Sequence, residues 1–185
     1  RNSLIDLVKK VATSVFIPLT VGGGIRSVED ARTLLSNGAD KITLNTGAIE
    51  NPSLISSISD TFGSQATVVS IEAVRTNTGE WEAMTDNGRN KTAKEVLSWS
   101  KQVEELGAGE ILLTSIDNDG MGEGFNIELT KMIANSVDIP VIASGGLSDP
   151  NHLKDLIDLT DASAAASGQA LHFNLTSIGK LQEVI

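Results

Sequence analysis

Short apolar runs alternate along the chain with longer segments that are apolar on one side only. The runs are short and rich in β-branched residues, so they predict strands, whereas the intervening segments have the periodicity of amphipathic helices. Continuous apolar strands separated by helices are typical of a parallel sheet covered by helices. The predicted strands are residues 17–23, 41–46, 66–73, 110–116, 139–146 and 161–167.

The predicted helices begin at recognisable capping signals. Ser27, with Asp30 three residues later, is a variant of the capping box. Asn51 and Asp149 each precede a proline, which predicts a cap followed by proline in the first turn. The first residues predict an amphipathic helix with these residues on its apolar side: Leu4, Ile5, Leu7, Val8 and Val11.

The sequence contains no linker or low-complexity stretch, and residues 1–185 are predicted to form one domain. An insertion after the third predicted strand carries a tight-turn signal, MTDNGRN, at residues 84–90. Because the chain begins inside a predicted helix, we expect part of the fold to precede residue 1. We also expect the last helix to be cut short.

An internal repeat relates two parts of the chain at an offset of 122 residues. The segment IPLTVGGGIRS (17–27) aligns without gaps with IPVIASGGLSD (139–149), and ADKITLN (39–45) aligns with DASAAAS (161–167). Each half therefore has a glycine-ended strand, a helix and a second strand that ends in small or polar residues. A repeat of such units favours a closed barrel of two similar halves over an open doubly wound sheet.

Three glycines, residues 22–24, stand where a strand gives way to a helix. One explanation is a turn that only glycine can form, and the other is a close approach of backbone N–H groups to a bound anion. The repeat places Gly145 and Gly146 at the positions that match Gly23 and Gly24. Two such clusters favour two equivalent anion sites, and hence a ligand with one phosphate at each end.

Composition narrows the classes of partner and chemistry. A net charge of −10 and only 3% aromatic residues argue against a nucleic-acid partner. The absence of cysteine excludes disulfides, cysteine-based zinc sites and a thiol nucleophile. His152 and His172 stand on different predicted elements without metal-ligand spacing, and no apolar run approaches the ~18 residues of a membrane helix. We therefore expect no metal, no organic cofactor and no membrane span.

Several motifs resemble the cyclase subunit of imidazole glycerol phosphate synthase, the HisF type. They are VGGGIRSVEDARTLLSNGADKITLNT, NPSLI, FGSQATVVSIEA, GAGEILLTSIDNDG and IPVIASGG, and the likeness covers essentially the whole chain. The resemblance implies a (βα)8 TIM barrel that is incomplete at its N-terminus, with about six of its eight strand–helix units present. It also implies a cytoplasmic lyase of histidine biosynthesis.

The resemblance further implies the reaction and the substrate contacts. In that family, ammonia from a glutaminase partner of the HisH type passes through the barrel to a bisphosphorylated aminoimidazole-carboxamide ribonucleotide (PRFAR). The products are imidazole glycerol phosphate and an aminoimidazole-carboxamide ribotide. The implied substrate- and phosphate-binding residues are Gly23, Gly24, Asn45 and Thr46 in the first half, and Thr114, Gly120, Ser144, Gly145, Gly146, Gly168 and Gln169 in the second, with Gln169 at a position where serine is usual.

The chemistry requires an acid and a base that flank the substrate. The family uses two aspartates at equivalent strand ends, and Glu72 stands at the second of these positions. The repeat would place the first about 50 residues before Arg1, so the chain as given is expected to be inactive by itself. Asp119 resembles a family residue that contacts the substrate and assists proton transfer. Since Glu is longer than Asp, a structural pairing of Glu72 with Arg75 is the alternative interpretation.

Lys41 and Glu110 stand at the starts of their predicted strands, opposite the catalytic end. The resemblance implies a charged gate for ammonia there, with Asp40 facing the glutaminase, and a salt-bridge cluster that plugs the barrel is the alternative. Two other functions stay open: a paralogue that amidinates a nucleotide sugar, which the departures at Glu72 and Gln169 allow, and a non-catalytic barrel fragment.

Overall fold

In a computed structural model, which describes residues 2–185, helices and strands alternate along the chain. All six predicted strands are confirmed, with somewhat different bounds. The helices are α1 (Asn2–Ala12), α2 (Val28–Ser36), α3 (Thr46–Glu50), α4 (Ser53–Phe62), α5 (Val96–Glu105), α6 (Ile127–Ala134), α7 (Pro150–Leu159), α8 (Gln169–His172) and α9 (Ile178–Gln182), with a 3₁₀ turn at Ser64–Ala66. The strands are β1 (Thr20–Gly22), β2 (Lys41–Leu44), β3 (Thr67–Arg75), β4 (Trp81–Thr85), β5 (Asn90–Glu95), β6 (Glu110–Ser115), β7 (Val141–Ser144) and β8 (Ala164–Ala165).

The chain divides into two compact units. The first extends to Ser70 and also includes Val103–Glu110, and the second comprises Ile71–Gln102 and Ile111–Ile185. Strands β3 and β6 and helix α5 each continue from one unit into the other. That residues 1–185 form one domain stays a prediction. Among residues 2–185, no helix has the length and apolar character needed to cross a membrane.

In the first unit, β1, β2 and the beginning of β3 pair in parallel, in that order. Alternate residues of β2 point into the core, so that Ile42 and Leu44 are buried while their neighbours are half-buried. Helix α4 covers this sheet with Ile55 and Ile58, which are fully buried.

Helix α1 is amphipathic as predicted, but one residue was assigned to the wrong side. Val8 is buried, whereas Leu7 is 57% exposed. Successive helical residues are about 100° apart around the axis, so the side that buries Val8 turns Leu7 towards solvent. The prediction that Leu7 lies with the other apolar residues is therefore wrong.

In the second unit, β6, β7 and β8 pair in parallel, with the end of β3 beside β6. The backbone N–H of Ile116, directly after β6, donates to the carbonyl of Ala73 in β3 (2.9 Å). Ile111 and Leu113 of β6 supply buried core side chains, and Leu129 of α6 is buried as well. Parallel strands followed by helices are consistent with a (βα) barrel fold.

The insertion after β3 is a β-hairpin. Strand β4 pairs antiparallel with β3, and β5 pairs antiparallel with β4. The predicted tight turn at residues 84–90 is confirmed, because Asp86 and Asn87 (φ 55° each) and Gly88 (φ 76°) all adopt left-handed conformations. Such a run is typical of a tight connection that matches the twist of its strands.

Two of the three predicted caps are confirmed. The Ser27 hydroxyl accepts the N–H of Asp30 (3.1 Å), while the Asp30 carboxylate accepts the N–H of Arg26 (3.0 Å). Asp149 caps α7 by accepting the N–H of Asn151 (2.9 Å).

The cap predicted at Asn51 is wrong. Helix α4 begins at Ser53 with Pro52 in the cap position, and Asn51 Oδ1 accepts the Ser53 hydroxyl (2.7 Å) rather than a backbone N–H. The asparagine therefore bonds a side chain of the first turn, and Pro52 takes the place that was predicted for Asn51.

Candidate active site

The first glycine cluster is required by backbone conformation. Gly23 and Gly24 have φ values of 106° and 69°, a region that side chains disfavour, and a Cβ on either would meet nothing within 4 Å. The space over these two residues is open. A turn therefore explains the glycines, and the same turn leaves room for a ligand beside the backbone.

Unsatisfied polar atoms lie at the end of β2, within the same unit. Asn45 directly precedes the short helix α3, which begins at Thr46. Asn45 Oδ1 and Thr43 Oγ1 are buried and have no hydrogen-bond partner among residues 2–185. Buried polar atoms in proteins are nearly always paired, so these two stand out as groups that a bound molecule could satisfy.

In the second cluster, glycine is required both by the backbone conformation and by the lack of room for a side chain. Gly145 and Gly146 also have positive φ values, 95° and 101°. A Cβ on Gly145 would lie 2.7 Å from the Ser115 carbonyl oxygen, and one on Gly146 would overlap the carbonyl of Gly124. Gly23 and Gly24 match Gly145 and Gly146 in backbone conformation, but only the second pair is closely packed.

A pocket of about 160 Å³ opens at the second cluster. The Ser167 hydroxyl, which also lines it, is buried and has no partner in the described part of the chain. Thr114 lies beside this pocket through its strand register, opposite Ser144. Of the residues predicted for the second phosphate site, those that line the pocket are Ser144, Gly145, Gly146, Gly168 and Gln169, together with Asp119.

The Gln169 side chain makes a contact that the sequence did not reveal. Its Nε2 donates to the carbonyl of Gly120 (2.9 Å), so the amide joins the start of α8 to the loop after β6. The two residues are 49 positions apart, and no local pattern signals their contact. This hydrogen bond therefore joins two of the predicted phosphate-binding residues, Gln169 and Gly120.

Asn118 organises the loop that carries Asp119 and Gly120, and sequence reasoning missed it. Its Oδ1 accepts the Ser115 hydroxyl (2.8 Å) and the Asn126 amide (3.1 Å), and its Nδ2 donates to the Gly124 carbonyl (3.0 Å). The only feature of the sequence that could have indicated this role of Asn118 is its position just after a predicted strand. Asp119 itself is exposed at the edge of the pocket.

Glu72 lies in the second half of β3 and is half-buried. Its Oε2 accepts the backbone N–H of Gly88 (2.8 Å), from the tip of the hairpin. Arg75 forms its ion pair with Glu128 (3.0 Å) and stacks its guanidinium over the Trp81 ring (5.5 Å). Arg75 therefore contacts Glu128 and Trp81, and its pairing with Glu72 stays a prediction.

Lys41 and Glu110 form an ion pair. They lie at the starts of β2 and β6, as predicted from the sequence. The two side chains are only 28% and 20% exposed. Neighbouring Asp40 accepts the backbone N–H of Leu19 (2.7 Å). Asp40 also lines a surface pocket with Phe16 and Ile17, which are 95% and 72% exposed.

Comparison with known proteins identifies the family. The family described as "Histidine biosynthesis protein" matches residues 1–177. Three relatives, each named imidazole glycerol phosphate synthase subunit HisF, come from Legionella pneumophila, Hydrogenobaculum sp. (strain Y04AAS1) and Alkaliphilus metalliredigens (strain QYMF).

The identities are high over most of this chain. The Legionella relative is 58% identical over 147 residues, which are 80% of this chain and 69% of the relative. The Hydrogenobaculum relative is 47% identical over 182 residues, with 98% of this chain and 72% of the relative covered. The Alkaliphilus relative is 45% identical over 183 residues, with 99% and 73% covered. The chain therefore belongs to the histidine biosynthesis protein family, as a member of the HisF type of cyclase subunit.

Proposed function

We propose that this chain carries out the ammonia-dependent cyclase reaction of histidine biosynthesis, which converts PRFAR to imidazole glycerol phosphate and an aminoimidazole-carboxamide ribotide. The observation that carries the proposal is the occurrence of two matching strand-end sites, one in each half of the repeat. Each combines left-handed glycines with a buried, unsatisfied side-chain oxygen. A substrate with two separated phosphates needs one such site for each end.

The polar atoms of the two sites suit phosphorylated groups. The Ser167 and Thr43 hydroxyls donate to phosphate oxygens. The Asn45 oxygen accepts from a ribose hydroxyl, and a half-turn of its amide would instead present NH₂ to a phosphate. Around Gly24 the open backbone lets N–H groups approach an anion closely. Local donors of this kind bind an anion in spite of the net negative charge of the chain.

Glu72 and Asp119 are the proposed acid–base groups. Attack of ammonia on the substrate and closure of the imidazole ring both require protons to be removed and returned at defined atoms. The Glu72 carboxylate takes up a proton as the attacking nitrogen forms its new bond. Asp119 lines the pocket of the second site, which supports its proposed role in exchanging protons with the same substrate.

The partner in this proposal is a glutaminase subunit that supplies ammonia. The relatives are named as subunits of a synthase, which implies a complex. Phe16 and Ile17 are exposed and lie beside Asp40, so they form an apolar surface with a charged residue at its edge. Protein interfaces commonly combine an apolar centre with a polar rim in this way. The Lys41–Glu110 pair belongs to the same unit and is the proposed gate for ammonia.

Genetic complementation tests the proposal. The full-length gene, with any coding sequence that precedes residue 1, is expressed in a bacterial strain that lacks its own cyclase subunit, on medium without histidine. We expect growth from the wild-type gene and none from the Glu72→Gln variant at equal protein level. Failure of the wild type to support growth, together with turnover of a nucleotide sugar and ammonia by the purified protein, would assign the chain to the amidinating paralogue instead.

A further inference from the structure

We propose that Gly88, at the tip of the β4–β5 hairpin, is a positioning residue for Glu72, and that the hairpin is thereby part of the active site. The inference rests on the proposed function, because it takes Glu72 as an acid–base group. Nothing in the sequence pattern pointed to it, since Gly88 was predicted only as a turn residue.

The hairpin tip delivers one backbone N–H to the carboxylate. Gly88 N–H donates to Glu72 Oε2 at 2.8 Å. Strand β4 runs back beside β3 with Met84 opposite Glu72, and three consecutive left-handed residues then turn the chain. Gly88 is half-buried, whereas Asn87 and Arg89 on either side of it are exposed. The tip is therefore folded inward at this one residue.

Gly88 is also seated against the loop that carries Asp119. A Cβ on Gly88 would lie 2.8 Å from Cδ1 of Ile116 and 3.4 Å from its Cγ1. Ile116 is held in turn, because its N–H donates to the Ala73 carbonyl of β3 (2.9 Å). Glycine suits the left-handed φ of 76° at this position, and a larger residue there would have to displace the Ile116 side chain.

Holding the carboxylate matters because glutamate is a flexible base. Its side chain has three rotatable bonds and therefore several accessible rotamers. A hydrogen bond from a fixed backbone amide selects one of them. Since a misplacement of about 1 Å can cost ~100-fold in rate, the amide of Gly88 is expected to act on turnover rather than on substrate binding.

Kinetics of Gly88→Ala test the positioning role, with Gly79→Ala as the matched control. Gly79 also has a left-handed φ, 88°, but a Cβ there meets nothing within 4 Å, and it lies in the turn at the opposite end of the hairpin. Both variants place alanine at a left-handed φ, and only Gly88→Ala pushes against Ile116. We expect kcat for PRFAR with ammonia to fall about 10- to 100-fold in Gly88→Ala, with KM changed less than about threefold. Gly79→Ala should stay within about twofold of wild type.

A rescue variant separates displacement from general damage. Ile116→Val removes the Cδ1 atom that the new methyl would strike. The Gly88→Ala/Ile116→Val double variant should therefore recover most of the lost kcat, while Ile116→Val alone stays near wild type. If the double variant is as slow as Gly88→Ala, the loss does not arise from displacement of the tip, and the positioning role is overturned.

Amide hydrogen exchange of Gly88, measured by NMR, tests the bond without any turnover. Removing the acceptor in Glu72→Ala should speed exchange of the Gly88 amide by at least about tenfold. Unchanged exchange would refute the bond whatever reaction the protein catalyses. Conversely, fast exchange in Glu72→Ala combined with wild-type kcat in Gly88→Ala would remove the positioning role and leave the cyclase proposal standing. A wild-type protein that does not turn over PRFAR would overturn the cyclase proposal and the positioning role together, while the exchange data still report whether the bond exists.

Discussion

Asn45 and Ser167 occupy matching positions of the 122-residue repeat, and each buries a side-chain oxygen that no other group in residues 2–185 satisfies. Asn45 follows β2 and Ser167 follows β8, so each stands just after the second strand of its half. Leaving a buried polar atom unpaired costs free energy. The same cost at equivalent positions of the repeat is accounted for if each atom binds a ligand group at its own site.

Alanine at either position should weaken substrate binding without weakening the fold. Asn45→Ala and Ser167→Ala each remove a hydrogen bond to a charged or strongly polar ligand group, so KM for PRFAR should rise at least about tenfold. The melting temperature should not fall, because an unsatisfied buried atom is removed. Steady-state kinetics and thermal unfolding measure the two effects. Thr176 supplies the control: its hydroxyl is also buried and unpaired but does not line the pocket, so Thr176→Val should leave KM unchanged.

Gly24 and Gly146 should respond differently to alanine. Both have positive φ, but only at Gly146 would a Cβ overlap a backbone carbonyl. Gly24→Ala should lose about 1 kcal/mol of unfolding free energy through strain and should chiefly raise KM for the substrate. Gly146→Ala should lose at least about 2 kcal/mol, since the loop at Gly124 must move. Urea unfolding of both variants measures this, and equal losses would contradict the assignment of open and packed glycine clusters.

Lys41→Ala distinguishes an ammonia gate from a structural plug. If the pair is a gate, Lys41→Ala should lower glutamine-dependent turnover, measured with the glutaminase subunit present, at least about tenfold beyond any loss that comes from reduced stability. If the pair is a plug, the main effect should be a lower melting temperature, since breaking a largely buried ion pair destabilises a fold by about 3–5 kcal/mol. Lys154→Ala is the control, because Lys154 pairs with Asp158 on the exposed surface of α7 and should affect neither quantity measurably.

Glu95 should make a small, solvent-screened and pH-dependent contribution to the stability of the fold. Burial tends to raise the pKa of Glu95, but hydrogen bonds from the N–H and hydroxyl of Ser98 and from the N–H of Leu97, with the nearby charge of Lys101, outweigh it and lower the pKa below its ordinary 4.5. A carboxylate with a lowered pKa contributes stability above its unfolded value, and that contribution is lost as the pH falls through the folded value.

Glu95→Gln should therefore lose at most about 0.5 kcal/mol at pH 7, the lower end of the cost of removing a helix cap, because solvent screens this partly exposed carboxylate. The difference from wild type should shrink progressively as the pH falls below 4.5. Urea unfolding across pH 3–7 measures this, with Glu105→Gln at the other end of α5 as the control. A difference that persists unchanged at low pH would show that the charge of Glu95 has no part in capping.

Local chemistry made much of this structure predictable. The apolar runs located every parallel strand, and the capping signals at Ser27 and Asp149 succeeded because each involves residues close in sequence. Leu7 was misplaced because periodicity alone does not say which residue of an apolar stripe meets the core. The hairpin strands around the turn were not predicted, since their stability depends on pairing with β3.

The contacts that shape the candidate site were less accessible to sequence reasoning. The Glu72–Gly88 and Gln169–Gly120 hydrogen bonds join residues that are 16 and 49 positions apart. Each depends on where the fold brings a loop, and no spacing rule encodes that. The repeat was the one long-range signal, and it indicated which strand ends correspond.

Ammonia-dependent turnover of PRFAR by the purified product of the full-length gene, with any sequence that precedes residue 1, and by its Glu72→Gln variant tests the central claim most directly. Glutamine is isosteric with glutamate and keeps a carbonyl oxygen that can accept the Gly88 N–H, but it cannot exchange a proton with the substrate. We predict measurable conversion by the wild type and a kcat lower by about 10²–10⁴-fold in the variant, with an unchanged melting temperature. Equal turnover by the two proteins would contradict the role of Glu72, and absence of turnover in both would contradict the cyclase assignment.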